Sequence, residues 1–149
     1  MEILFKEFDS IYLELSWKWL NDPEIKYLTN TSDFTREQQR EWFDSLAELT
    51  DYLIWGLEAD SVPIGVCGLK NITNIDCEYW GYIGEKQYWG IGIGKEMMLL
   101  LEAKARDFGK TSIWLEVIKE NPKAISLYKK LGYSKEAESN DLIKMRKIL

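Results

Sequence analysis

The residues that could do chemistry in this 149-residue chain begin with a glycine-rich turn, Gln87-Tyr88-Trp89-Gly90-Ile91-Gly92-Ile93-Gly94-Lys95-Glu96. It joins a strand-like run to an amphipathic helical one. Glycines allow backbone angles that aim successive N–H groups into one concavity, and a helix N-terminus adds partial positive charge, so the device suits a phosphate. Spacing removes two phosphate readings. A dinucleotide fingerprint, Gly-x-Gly-x-x-Gly, meets Lys95 when counted from Gly90 and Gly92, and Met97 when counted from Gly92 and Gly94. A nucleoside-triphosphate loop needs glycine where Trp89 stands and Ser or Thr where Glu96 stands. A shorter Gly-x-Gly turn before a helix survives, and alone it serves equally as a structural connection.

The chain contains no histidine. Imidazole-based catalytic triads and imidazole metal sites are therefore closed to it. Proton transfer falls to Glu, Asp, Tyr, Cys, Lys or water, and no metal centre is expected. Glu116 interrupts the apolar run Ser112-Ile113-Trp114-Leu115-Glu116-Val117-Ile118 and needs either solvent or a role. Glu78 lies in the strand-like run that leads to the glycine turn. Cys67 and Cys77 read as small buried residues rather than a disulfide or metal pair.

The elements that must position these groups are legible in outline. Residues 3–8 alternate as a strand, Asp9 or Ser10 caps a helix through Leu20, and Asn21-Asp22-Pro23 stops it. Residues 24–32 read as polar and irregular. Thr35-Arg36-Glu37-Gln38 opens a second helix with a capping box. Residues 51–58, 62–69 and 77–84 read as three antiparallel strands; on the last, Glu78, Trp80, Tyr82 and Gly84 share one face. A helix over 94–108, stopped by Gly109, leads to a strand at 112–118, so strands 77–84 and 112–118 should run parallel. Asn121-Pro122 caps a further helix that carries Ala124, Leu127, Tyr128 and Leu131 on one stripe and ends at Gly132. Residues 133–137 and 141–148 close the chain as a hairpin.

Length fits one domain over 1–149. The formal charge of -6, with no basic run, argues against a nucleic-acid partner or an anionic membrane surface. It would suit a cationic acceptor, although mild acidity is ordinary for a soluble surface. The longest apolar run, 97–101, is too short to cross a membrane, and the first residues show no secretory pattern, so a cytoplasmic location is expected.

Taken in order, the Gly-x-Gly turn, Trp114-Leu115-Glu116-Val117 and Asn121-x-x-Ala124-x-x-Leu127-Tyr128-x-x-Leu131-Gly132-Tyr133 resemble the GNAT superfamily of acetyl-CoA-dependent N-acetyltransferases. The resemblance implies an α+β fold (α/β/α) with a mixed, mostly antiparallel sheet of about seven strands. One parallel pair splays to admit acetyl-CoA, and helices cover both faces. The family's phosphate motif, Gln/Arg-x-x-Gly-x-Gly/Ala, fits in two registers. Gln87-x-x-Gly90-x-Gly92 satisfies the letters. Trp89-x-x-Gly92-x-Gly94 fits the spacing to the helix, but places Trp where Gln or Arg is usual and leaves Gln87 without a role.

In either register the resemblance implies that N–H groups of Trp89, Gly90, Ile91, Gly92, Ile93, Gly94 and Lys95 hold the coenzyme pyrophosphate. It also implies that Tyr82, Ile83 and Gly84 offer free backbone groups to the pantetheine arm, and that Asn121 touches that arm. Tyr128 resembles the family's general acid: a phenol can protonate the departing thiolate. Glu116 matches a glutamate that serves as base in ribosomal-protein N-terminal acetyltransferases, and Glu78 is the second candidate.

For the acceptor, residues 19–25 resemble the branch that holds ribosomal-protein and nucleotide amino-sugar acetyltransferases. Ile64-Gly65-Val66, Asn71-Ile72-Thr73 and Cys77-Glu78 resemble the amino-sugar members more closely. A small-molecule amine, favoured as a nucleotide-linked 4-amino-deoxy sugar, is the expected acceptor. A protein N-terminal acetyltransferase and a non-catalytic CoA-binding module are the alternatives, and a monomer or homodimer fits the resemblance.

Overall fold

The computed structural model describes residues 1–149. Seven strands form one sheet in the order β1-β2-β3-β4-β5-β7-β6. They are β1 (Ile3–Glu7), β2 (Leu53–Ala59), β3 (Val62–Lys70), β4 (Asp76–Ile83), β5 (Ser112–Ile118), β6 (Ser134–Glu138) and β7 (Leu142–Ile148). Every neighbouring pair is antiparallel except β4 and β5. That pair is joined by the helix α4 (Ile93–Asp107), and a strand-to-strand crossover through a helix requires parallel strands. The mixed, mostly antiparallel sheet expected from the sequence is therefore present.

One face of the sheet carries α1 (Ser10–Leu20), α2 (Pro23–Leu28) and α3 (Arg36–Ser45); the other carries α4 and α5 (Pro122–Lys130). Local chemistry sets each helix start. The Asp9 side chain accepts from the N–H groups of Ile11 and Tyr12. Thr35 and Gln38 complete the expected capping box, and Asn121 accepts from the Ala124 N–H ahead of Pro122. The segment read as irregular after Pro23 is instead the helix α2. Asp22 caps it through the N–H groups of Glu24 and Ile25, and Pro23 takes a first-turn position where no N–H is needed. The residues that stop α1 thus start α2.

Burial divides along the same plane. Eighteen buried residues, among them Leu57, Leu69, Met98, Leu101, Ile113, Leu115 and Met145, form the core between the sheet and α4–α5. Six, including Tyr12, Leu13, Trp19 and Val66, form a smaller core under α1–α3. Both cysteines are free and buried in β3 and β4. No helix is long and apolar enough to cross a membrane.

The sheet is not continuous. β4 and β5 pair only at Asp76↔Ser112, Cys77↔Ile113 and Glu78↔Trp114, although both strands run on. β4 remains paired to β3 as far as Ile83, and β5 to β7 as far as Ile118. Residues 79–83 and 115–118 therefore diverge and leave a wedge in the middle of the sheet.

Candidate active site

The wedge exposes one edge of β4, and the register decides which groups it offers. Gly84 donates its N–H to Ile64 O at 2.7 Å, so its backbone points toward β3. Backbone direction alternates along a strand, so residues 82, 80 and 78 also point that way, while 83, 81 and 79 face the wedge. Two bonds agree: Ile75 O accepts from Thr111 N on the β5 side, and Ile83 O accepts from the Trp89 indole at 2.8 Å. This corrects the expectation that Tyr82 and Gly84 lend free backbone groups to an arm. Gly84 has a packing role instead, because a Cβ there would stand 2.2 Å from the Trp19 ring. Of the three residues, Ile83 alone turns its N–H to the wedge, and Gly81 joins it.

At the end of β4 a short 3₁₀ turn, Lys86–Tyr88, leads to Trp89. Gly90 (φ +76°) and Gly92 (φ +92°) take left-handed angles that other residues resist. Gly92 caps α4, which starts at Ile93 rather than Gly94, and no side chain satisfies the cap. The first helical bond runs from Glu96 N to Gly92 O. The N–H groups of residues 92–95 thus have no partner and stand where the helix dipole is positive. Gln87 is exposed and makes no hydrogen bond, whereas Trp89 ties the turn to the open strand end. Lys86 fastens the same turn to α2 through Asp22 (2.9 Å) and Glu24 (3.0 Å).

Across the wedge, α5 brings Tyr128 between Tyr79 of β4 and Tyr133, with ring centroids 6.2 and 6.0 Å away. Burial pushes the Tyr128 phenol up to about 12, and a hydrogen bond from Tyr79 opposes part of the rise. Tyr128 is therefore protonated throughout the neutral range, and while its oxygen accepts from Tyr79 its own O–H remains available to donate. Beneath it, Tyr133 Oη donates to Glu102 (2.9 Å) and Lys147 Nζ donates to the other oxygen of the same carboxylate (2.8 Å). Glu102 is fully buried on α4, and the sequence reading missed it. The signal was present, since Glu102 lies four residues after Met98 on the apolar stripe. Asn121 is engaged as the α5 cap.

The two carboxylates have opposite surroundings. Glu116 is exposed and stands opposite Lys144 of β7. Glu78, 6% exposed, accepts from Asn71 Nδ2 at 2.7 Å and lies 3.9 Å from Lys70 Nζ. Burial raises its carboxyl above the usual range; Lys70 and Asn71 oppose the rise, and the charge of Glu116 adds to it. The sequence reading placed Glu116 ahead of Glu78 as a base, but in the structure Glu78 is the buried carboxylate of the two.

On the α1–α3 face, β4 continues its alternation from Glu78 through Trp80 to Tyr82. These last two form a wall of a cavity of ≈ 310 Å³ whose other sides include Phe34, Trp42, Gln38 and Gln39. Trp42 and Trp80 line this space. Trp17 does not: it meets Phe34 edge-on and lies under the Arg36 guanidinium.

Residues 14–133 match the family described as the acetyltransferase (GNAT) family, and the chain belongs to it. It is an N-acetyltransferase. Among curated proteins, the acetyltransferase PseH of Campylobacter jejuni is 27% identical over 139 residues, covering 92% of this chain and 86% of its own length. The crystal structure of that N-acetyltransferase in complex with acetyl coenzyme A superposes with a TM-score of 0.77 at 22% identity, over 99% of both chains. Spermidine N-acetyltransferase from Vibrio cholerae, in complex with CoA and spermine, reaches a TM-score of 0.86 at 18% identity, over 98% of this chain and 95% of that one. The fold is thus shared with a spermidine N-acetyltransferase.

Proposed function

We propose that the protein transfers the acetyl group of acetyl-CoA directly to the amine of a small molecule, with a nucleotide-linked 4-amino-deoxy sugar as the favoured acceptor. The observation that carries the coenzyme half is the wedge. Unpaired N–H groups of Gly81 and Ile83 line its β4 edge, and they lead to the unpaired N–H groups of residues 92–95 at a helix N-terminus. An extended arm can add to the first as an extra strand, and a pyrophosphate suits the second. The Trp89 bond to Ile83 O and the solvent-facing Gln87 support the register Trp89-x-x-Gly92-x-Gly94.

In the reaction, the amine nitrogen attacks the thioester carbonyl, and a wedge-facing N–H of β4 polarises the carbonyl oxygen. The C–N bond forms, the C–S bond breaks, and Tyr128 gives its proton to the sulfur. The proton lost by the amine passes to Glu78, directly or through water, with Glu116 as the exposed alternative.

The amino-sugar assignment rests on the resemblance of residues 64–66, 71–73 and 77–78. It is supported by a cavity beside β4 whose Phe34, Trp42 and Trp80 walls suit stacking on a ring. Thiol release from acetyl-CoA, followed across 4-amino-sugar nucleotides, spermidine and peptides with free N-termini, tests reaction and acceptor together. The amino-sugar nucleotide should give the highest kcat/KM; preference for the peptides would reverse the acceptor assignment.

A further inference from the structure

One buried charge takes no part in the proposed reaction. Glu102 lies on α4, 1% exposed, on the stripe that also carries Met98, Leu101 and Ala105 of the core. Both of its carboxylate oxygens are engaged from other elements: Tyr133 Oη donates to one at 2.9 Å, and Lys147 Nζ of β7 donates to the other at 2.8 Å. Tyr133 in turn holds Tyr128 in two ways. Its backbone N–H donates to Tyr128 O at 2.9 Å, and its ring packs against the Tyr128 ring with centroids 6.0 Å apart. A chain of contacts thus runs from α4 to the phenol on α5.

α4 begins at the N–H groups that suit the pyrophosphate, and α5 carries the proton donor, so the placement of the two helices sets where that donor stands relative to the coenzyme. Apolar packing between helices is non-directional and permits small slides. Hydrogen bonds to a buried carboxylate fix both distance and angle. We propose that Glu102 and Tyr133 are positioning residues: Glu102 anchors the Tyr133 phenol to α4, and Tyr133 holds the Tyr128 hydroxyl where the departing sulfur forms. This rests on Tyr128 as the proton donor and adds the assembly that places it. Displacement of a reacting group by about 1 Å can lower turnover by up to about 100-fold.

Tyr133→Phe keeps the ring and removes the bond to Glu102. In thiol release from acetyl-CoA, with a 4-amino-sugar nucleotide as acceptor or spermidine if that is the better substrate, it should lower kcat about tenfold and leave both KM values within about twofold. In a Tyr128→Phe background the same substitution should lower kcat by less than about twofold, because no proton is left to place. Glu102→Gln keeps an acceptor for Tyr133 and removes the charge that Lys147 meets. It should lower kcat by only about threefold yet lower Tm more than Tyr133→Phe does, since the Lys147 ammonium loses its counter-charge. A purely structural pair would rank the two variants alike in kcat and in Tm.

A kcat change below about twofold in Tyr133→Phe, an equal loss in both backgrounds, or kcat losses that follow the Tm losses overturns the inference. A loss below about threefold in Tyr128→Phe alone breaks the general-acid reading instead. The positioning is then read without turnover, from the ¹⁹F resonance of 3-fluorotyrosine at position 128, assigned by its absence in Tyr128→Phe. Glu102 makes its hydrogen bonds to Tyr133 and Lys147 and none to Tyr128. Displacement or broadening of that resonance in Glu102→Gln therefore supports the assembly, and an unchanged resonance removes it. The same signal carries the test alone if Tyr133→Phe folds poorly.

Discussion

The two faces of the sheet offer a ligand different kinds of surface. On the α4–α5 face the groups that receive the coenzyme in our proposal are backbone N–H donors, fixed by a strand edge and a helix start over an eighteen-residue core. On the α1–α3 face the cavity is made of side chains over a core of six, with Trp42, Phe43, Trp80 and Tyr82 only partly buried around it. Backbone donors tolerate many sequences provided that glycines permit the angles, so a few positions preserve coenzyme binding. Aromatic walls change shape with each substitution, and a thinner core lets them move at lower cost. One fold can thus keep a single donor substrate and exchange its acceptor.

The sharpest way to break this division is at Tyr128, where the two halves meet in the chemical step we propose. Tyr128→Phe should lower kcat about 100-fold with both KM values shifted by less than about twofold, since the lost proton matters only as the thiolate forms. A fall of less than about threefold would remove Tyr128 from the reaction. Its phenol sits at about 12, so the protonated donor is complete at all lower pH and declines only as pH rises through that value. The wild-type pH–rate profile should therefore show no falling limb from Tyr128 below about pH 11.

Gly92→Ala comes next. At φ +92° a methyl group strains the turn, although nothing lies within 4 Å to clash with it. The acetyl-CoA KM should rise about tenfold and stability should fall by about 1–2 kcal/mol, measured by denaturant midpoint. The acceptor KM should stay put, and movement there instead would show that the two faces are not separable.

Much of the coenzyme half was legible because its signals are local. The strand at 112–118 is found with those bounds, and Asn121-Pro122 caps α5 as its letters imply. What was not legible depends on long-range register. The direction of each β4 backbone group follows from pairing with Ile64 across the sheet, and no local pattern states it. For the same reason the alternation of β4 could place Glu78, Trp80 and Tyr82 on one face but could not show a cavity there. Glu78 and Glu116 look alike as lone strand carboxylates. They differ only because Asn71 and Lys70 close over one of them. The helix α2 was missed through a turn signal that serves equally as a cap.

Glu78→Gln probes that hidden difference with a smaller effect, about five- to tenfold in kcat at neutral pH, against less than about twofold for Glu116→Gln. Burial raises the Glu78 carboxyl, so the folded chain holds this proton to a higher pH than the unfolded chain does. Native stability then falls as pH rises from the ordinary carboxylate range through the raised value. The glutamine variant escapes that loss. Its Tm should exceed that of the wild type above this interval and converge with it below about pH 4. A larger kcat loss in Glu116→Gln would transfer the base to the exposed carboxylate.

Trp89→Phe carries the smallest expected effect and bears on the comparison most directly, because here a side chain takes part in the backbone-built half. Its indole N–H closes Ile83 O, the last carbonyl of the open β4 edge, and so holds the glycine turn against the strand that would receive the arm. Phenylalanine keeps the ring and removes the donor. A neutral hydrogen bond contributes about 1 kcal/mol net, which corresponds to a factor of about five in an equilibrium constant. Only part of that reaches the coenzyme, since water can replace the indole when the site is empty. The acetyl-CoA KM should rise about threefold, with kcat and the acceptor KM unchanged. A change in the acceptor KM alone would mean that Trp89 belongs to the other face. No change at all would mean that the turn holds its shape through Gly90 and Gly92 without the side chain, which would make the coenzyme half purely a backbone construction.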